Sequence, residues 1–193
     1  DTPTNYSVDS GNAGGNYCTL NPLDKNTLTL ANGNLEVTGT SVNQSVRGTI
    51  FVSSGKWYYE ATVTNVGTET FVGFAGGSYA FDGNTGRAVW RGQGNSGELI
   101  KLDASTTGSQ GQYTTGDVIG CAIDFDNDRI DWYKNNTLTV SYTSAGLSSY
   151  APLAPLIQGG GGSYEVNVNF GQRSFAYTPP SNHLAIVTTN LPE

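Results

Sequence analysis

The sequence predicts an all-β fold: a two-sheet antiparallel sandwich with long glycine-rich loops and little or no helix. Three observations predict it. Short apolar runs are interrupted throughout by Gly and Asn, with 26 glycines and 7 prolines in 193 residues. Several of those runs alternate apolar and polar residues at a period of two, the repeat of a strand with one buried face. No stretch repeats apolar residues at helical spacing, and only "SAGLSSY" offers a short turn of helix. The length suits one domain. Aromatic residues make up 11%, supplying the buriable surface that disordered chains lack.

The elements follow in order. Residues 1–27 are Asn- and Gly-rich and read as an irregular lead-in that packs on the domain. "LTLANGNLEVTG" is a hairpin: Leu28 and Leu30 alternate before Asn32-Gly33, and Leu35 and Val37 after it. Asn-Gly supplies the positive φ of a two-residue turn. A strand is expected at Gly48–Val52. "KWYYEATVT" sets Trp57, Tyr59, Ala61 and Val63 against Lys56, Tyr58, Glu60 and Thr62, so Trp57 is expected in the core. "ETFVGFAGG" is a strand that ends in glycines. Residues 76–98 form a long Gly-rich excursion, and "LIKLDAS" is a short strand. "DVIGCAIDFDNDRIDWYKNN" holds two strands joined at "DFDND". "TLTVSYTS", Leu153–Gln158 and "SYEVNVNFG" are the remaining strands. The sandwich body is placed at 28–180, and 181–193 reads as a tail or linker.

Composition excludes several functions. Nine basic residues stand against sixteen acidic ones, a net charge of −7, and no basic cluster exists to meet nucleic-acid phosphates. No apolar run approaches the roughly 20 residues of a membrane span. The absence of methionine leads us to expect a segment excised from a longer or processed protein. Cys121 lies in an apolar strand, where a free thiol behaves as a small buried hydrophobe. The alternative is a Cys18–Cys121 disulfide. No CxxC supports zinc.

Five segments in order carry a family resemblance. They are "SSGKWYYE", "FVGFAG", "TTGDVIGCAIDFDNDRIDWYKNN", "YAPLAPLIQ" and "VNFGQRSFAYTPP". From about Gly48 to Pro180 the chain resembles a SPRY domain. One departure is Asn135-Asn136, where that family usually has Asn-Gly after the lysine. Asn tolerates the left-handed conformation, so the turn is expected to survive. The resemblance implies a SPRY-type β-sandwich and a non-catalytic role in protein interaction. The end segments, "DTPTNYSVDSGNAGGNYCTLNPLD" and "FAYTPPSNHLAIVTTNLPE", resemble runs flanking such domains in bacteriophage structural proteins. That second resemblance implies location in the virion, on capsid or tail. It also implies partners among other virion proteins or a host-surface protein or glycan, with homo-oligomerisation through the parent protein.

The binding site is expected in the 76–98 excursion, because long ordered loops are usually functional. Its candidates are Tyr79, Phe81, Arg87, Trp90 and Arg91, since Tyr, Trp and Arg carry much interface energy. The alternative is that Phe81 and Trp90 fold back and plug the open end of the sandwich. A sugar-binding surface is the second reading of the same aromatics. Asp124, Asp126 and Asp128 match the first ligating positions of a calcium loop, but Arg129 and Asn135 replace its glycine and its bidentate glutamate. We therefore assign no metal and no cofactor and read an acidic hairpin tip, with weak calcium binding as the alternative. No catalytic residue is assigned. Glu60, Glu69, Glu98 and Asp117 are scattered, His183 stands alone, and no G-x-S-x-G elbow exists. A tail-associated glycan hydrolase is the least favoured reading.

Overall fold

Apolar alternation organises the chain into fifteen strands. They are β1 (Leu20–Lys25), β2 (Thr29–Ala31), β3 (Glu36–Gly39), β4 (Val42–Gly48), β5 (Lys56–Asn65), β6 (Thr70–Gly76), β7 (Arg87–Arg91), β8 (Leu99–Ile100), β9 (Thr106–Thr107), β10 (Val118–Asp124), β11 (Arg129–Lys134), β12 (Thr137–Thr143), β13 (Leu153–Gly160), β14 (Tyr164–Asn169) and β15 (Leu184–Ala185). One helical turn, α1 (Leu147–Tyr150), lies between β12 and β13, where "SAGLSSY" predicted it. The computed structural model describes residues 15–81, 85–93 and 97–192. One sheet runs β1-β4-β13-β6-β7-β8-β9, the other β12-β11-β10-β5-β14-β3-β2. The strands pair antiparallel in both sheets, except that β15 lies parallel to the start of β5.

The two sheets bury one core between them. Trp57, Tyr59, Ala61 and Val63 of β5 all face it, as their period predicts. Three buried aromatics reach across with their polar tips. The Tyr59 hydroxyl donates to the Gly73 carbonyl at 2.6 Å, the Trp132 indole to Val72 at 2.9 Å and the Tyr113 hydroxyl to Thr70 at 2.6 Å. All three acceptors lie on β6. Large apolar bodies thus fill the core while each polar end finds a partner.

The other face of β5 is buried at its centre. Tyr58 and Glu60 are only 2% and 3% exposed, because the chain after β14 lies across them. The Phe175 ring packs edge-on against Tyr58 at 5.0 Å. The Glu60 carboxylate accepts the backbone N–H groups of Ala176 and Tyr177 at 2.7 and 2.9 Å. Farther on, β15 pairs with Trp57 and Tyr58, and the Cys18 N–H donates to the Ile186 carbonyl.

Several expectations are corrected. Residues 1–27 are not all irregular, since β1 pairs with β4 at the edge of a sheet. Residues 181–193 are not only a tail: β15 and a 3-10 turn at Thr188–Asn190 pack on the domain. The strand expected at Gly48–Val52 lies earlier, at β4, where buried Ser45 and Arg47 hide the apolar signal. Only Val52 bridges onward, to Leu153. The Asn32-Gly33 hairpin pairs Leu30 with Val37, but its turn is longer than two residues. Asn32, Gly33 and Asn34 all have positive φ, and the Leu35 N–H closes onto Ala31. At the tip between β11 and β12, Asn135 and Asn136 have φ of 47° and 70°, so asparagine does replace glycine there. Cys18 and Cys121 are both buried free thiols. Burial pushes the Cys18 thiol up to about 11 and raises Cys121 as well.

Two measurements check this arrangement. Trp57→Ala removes a fully enclosed ring whose indole donates to the Ser54 carbonyl, and urea unfolding is expected to show a loss of about 3–5 kcal/mol. Glu60→Ala leaves the Ala176 and Tyr177 amides without their acceptor. It should cost about 1–3 kcal/mol and accelerate hydrogen exchange at those two amides before the rest of the sheet.

Candidate functional site

Strand alternation on the seven-stranded sheet turns a second set of side chains away from the core. Register places Arg47 beside Leu156, Gln158 beside Phe71, and Phe71 beside Arg91. Phe71, Ala75, Tyr79, Val89, Ile100 and Leu156 form a small hydrophobic cluster there, with Phe81 packed against it. Arginines cover this cluster. The guanidinium carbons of Arg87 and Arg91 each lie 5.2 Å from the Phe71 ring centre. Arg87 bonds Gln158, and Arg91 pairs with Glu69 and, at 3.0 Å, with Glu98.

Arg47 organises one end of the same face. It is only 7% exposed. Its Nε and Nη2 grip both carboxylate oxygens of Asp24, at 2.7 and 2.8 Å. Its Nη1 donates to the carbonyls of Gly76 and Tyr79. All this fixes the guanidinium between two rings, Phe81 at 4.9 Å and Phe51 at 5.8 Å. Both rings are half-buried, so each keeps a face or edge toward solvent. Gly77, Ser78 and Ala80 beside them are exposed. Half-buried Tyr150 borders the same end, where its carbonyl comes close to Gly76. The arrangement is an aromatic ledge with a charged, immobile support.

The five expected binding residues occupy different places. The excursion is not one loop, because it contains β7, and alternation on that strand divides its residues between two faces. Trp90 points into the main core, where its indole donates to the Gly111 carbonyl at 3.0 Å and packs edge-on against Tyr113. Folding back, the alternative reading, holds for Trp90. Tyr79 and Arg87 are buried at 2% and 3% exposure, under the outer cluster rather than on its surface. Phe81 and Arg91 are half-buried and retain solvent contact. Residues 82–84 and 94–96 of the excursion lie outside the described residues. Arg47 and Phe51 were missed. The one signal for Arg47 was an arginine inside a strand-forming run, and nothing local pairs it with Asp24 or Phe81.

The acidic groups are committed internally. Asp124 accepts the Asp126 and Asn127 N–H groups and pairs with Lys56 at 2.9 Å. Asp128 accepts the Gly146 and Leu147 N–H groups, and Asp131 pairs with Arg129. The hairpin tip is thus a set of turn and loop anchors. Among the described residues, no group of three His, Cys, Asp or Glu is placed to hold a metal. Glu60 holds the C-terminal segment, while Asp117 meets Lys134, Asn135 and the Thr114 N–H. Glu69 and Glu98 do come together, but around Arg91. The His183 ring bonds the Ser181 carbonyl at 3.2 Å. A separate polar cleft of about 320 Å³ lies at the open edge of the sandwich between Lys25, Thr29, Thr38 and Gln44, and it has no aromatic wall.

The SPRY domain model matches residues 56–173, more than half of the chain. The chain belongs to the SPRY family. Its sandwich superposes on the TRIM65 PSpry domain with a TM-score of 0.64 at 12% identity, covering 79% of this chain and 92% of that one. It superposes on the SPRY domain of human HERC1 with a TM-score of 0.63 at 19% identity, covering 80% of this chain and 99% of that one. These likenesses show the fold. The E3 ubiquitin-protein ligase RKP of Arabidopsis thaliana is 28% identical over 152 residues, which are 69% of this chain and 10% of the ligase. This SPRY chain therefore spans about a tenth of the length of that relative. SPRY domains are generally protein-interaction modules.

Arg47→Ala would strand Asp24 and two carbonyls beneath the ledge. It is expected to cost about 3–5 kcal/mol in urea unfolding, as loss of one partner of a buried ion pair does. Acid should act through Asp124. Burial pushes its carboxyl up, but hydrogen bonds from Asn127 and Lys56 outweigh that and hold it below its ordinary value. Its contribution is complete above the unfolded value and is lost as pH falls through the lower folded one. Asp124→Asn should therefore flatten the loss of stability below about pH 4.

Proposed function

We propose that this SPRY domain is a non-catalytic docking module whose partner seats on the Phe51–Arg47–Phe81 ledge and the loops beside it. The observation that carries this reading is the hydrogen-bonded Arg47 guanidinium held between the two rings. Two half-exposed aromatic rings flank a guanidinium that four hydrogen bonds already hold, to Asp24, Gly76 and Tyr79 among described residues. Rigid aromatic and arginine anchors bind with little further ordering cost. The described carboxylates support the non-catalytic part, because each candidate acid is occupied by an arginine, a lysine or backbone amides.

The setting is proposed to be a phage virion, on capsid or tail. Its support is the resemblance of the two end segments to runs in bacteriophage structural proteins. The partner is then another virion protein or a host-surface protein. A host glycan is the second candidate, because the same two rings offer faces on which a pyranose stacks.

A photo-crosslinking amino acid at position 81 in the intact parent particle tests the reading, with position 184, on the opposite sheet, as control. Position 81 is expected to capture a protein partner and position 184 to capture none. Capture at 184 alone would overturn the placement. Phe51→Ala with Phe81→Ala should abolish assembly or host adsorption while leaving Arg47 and its ion pair in place. Particles that assemble and adsorb normally with this double change would show that docking lies elsewhere.

A further inference from the structure

The two sheets end in four edge strands, and three of them are protected. At one end of the seven-stranded sheet, β1 carries Pro22, Asp24 and Lys25 and an irregular register between Leu20 and Lys25. At the other end, β9 is two residues long. The eight-stranded sheet ends in β2, which has three residues. Prolines, charges, bulges and short length are the usual defences of an exposed edge against pairing with another chain.

The fourth edge lacks most of these defences. β12, "TLTVSYT", spans seven residues without charge, proline or glycine, and four of them are β-branched threonine or valine on one uninterrupted run of strand formers. Its side chains at 137, 138, 139, 141 and 143 are exposed, and Leu138 is 46% exposed. One bulge interrupts its pairing with β11, between Trp132 and Tyr133, at Thr139. Beyond that bulge Val140–Thr143 run in regular register with Arg129–Trp132, their other edge unpaired within the described sheets.

Composition and face parity select the occupant. Val140 and Tyr142 are buried toward the core, while Ser141 and Thr143 face outward opposite Asp131 and Arg129. A strand pairing here must match small polar groups on one face and apolar groups on the other. A second β12, run antiparallel about a two-fold axis, meets this demand. Ser141 then opposes Ser141 of the copy, and no charge opposes a like charge on the paired strands. Such an isologous contact closes on itself. We propose that the chain pairs with a second copy of itself through β12, extending the eight-stranded sheet across a two-fold axis. This inference is independent of the ledge, which lies on the other sheet.

The test uses analytical ultracentrifugation of the full chain at high micromolar concentration. Wild type is expected to sediment as a dimer. Ser141→Lys and Ser141→Glu replace an exposed side chain whose hydroxyl accepts from Arg129 at 3.3 Å, and each should give a monomer that stays folded by far-ultraviolet circular dichroism. An equimolar mixture of the two should regain the dimer, because opposite charges then face each other. Hydrogen exchange should show the β12 amides on its open edge protected in the wild type and unprotected in either variant alone, while those donating to β11 stay protected in all. Should Ser141→Lys fail to fold, Ser141→Arg and Ser141→Asp supply the same complementary pair. A wild type that stays monomeric, or a dimer that persists in both single variants, would overturn the proposal. Capture of a different protein on β12 by a monomeric wild type would overturn it too.

Discussion

The centre of strand β5 is buried on both faces, and the rest of the domain is arranged around that constraint. Its inward residues, Trp57 and Tyr59 foremost, form the centre of the core. Its outward residues include Glu60, a carboxylate only 3% exposed in the middle of a sheet. Burying an ionised group without partners is costly, so its oxygens must be met. The amides of Ala176 and Tyr177 meet them. That requirement fastens the chain after β14 across the sheet, carries it to β15, and brings Ile186 beside Cys18. One carboxylate thus couples the central strand to both ends of the described chain.

The opposite sheet solves a comparable problem with cations. An acidic chain turns Arg47, Arg87 and Arg91 onto one outer face and stacks them on Phe71, Phe81 and Phe51. A guanidinium serves there because its planar fork can bond a carboxylate or carbonyls while its face rests on an aromatic ring. The ion pairs with Asp24, Glu69 and Glu98 neutralise the charge locally. The result is a rigid outer layer over a second small hydrophobic cluster, and its least covered rings, Phe51 and Phe81, mark where a partner can make contact.

Sequence reasoning succeeded where the signal was local. The alternation in "KWYYEATVT", the Asn-rich turns and the helical turn in "SAGLSSY" are all present in the structure. It fell short where a strand carries polar residues that tertiary partners neutralise. β4 was displaced because Ser45 and Arg47 looked exposed, and β7 was read as loop because Arg87 and Arg91 flank its apolar centre. The same blindness hid which of the candidate residues the fold buries. Tyr79, Arg87 and Trp90 have the composition of an interface, and the fold uses them as interior.

By itself the amino-acid sequence determined the all-β class, the face of β5 that enters the core, and the left-handed tip at Asn135-Asn136. Each follows from side-chain period or from backbone preference within a few residues. Only the tertiary structure decided which arginines are buried, which aromatic rings remain on the surface, and that the C-terminal segment closes over Glu60. Those outcomes depend on residues far apart in the chain: Asp24 with Arg47, Arg47 with Phe81, and Glu60 with Tyr177. The cost of an unpartnered buried charge selects such pairs, and no local pattern records where the partner will come from.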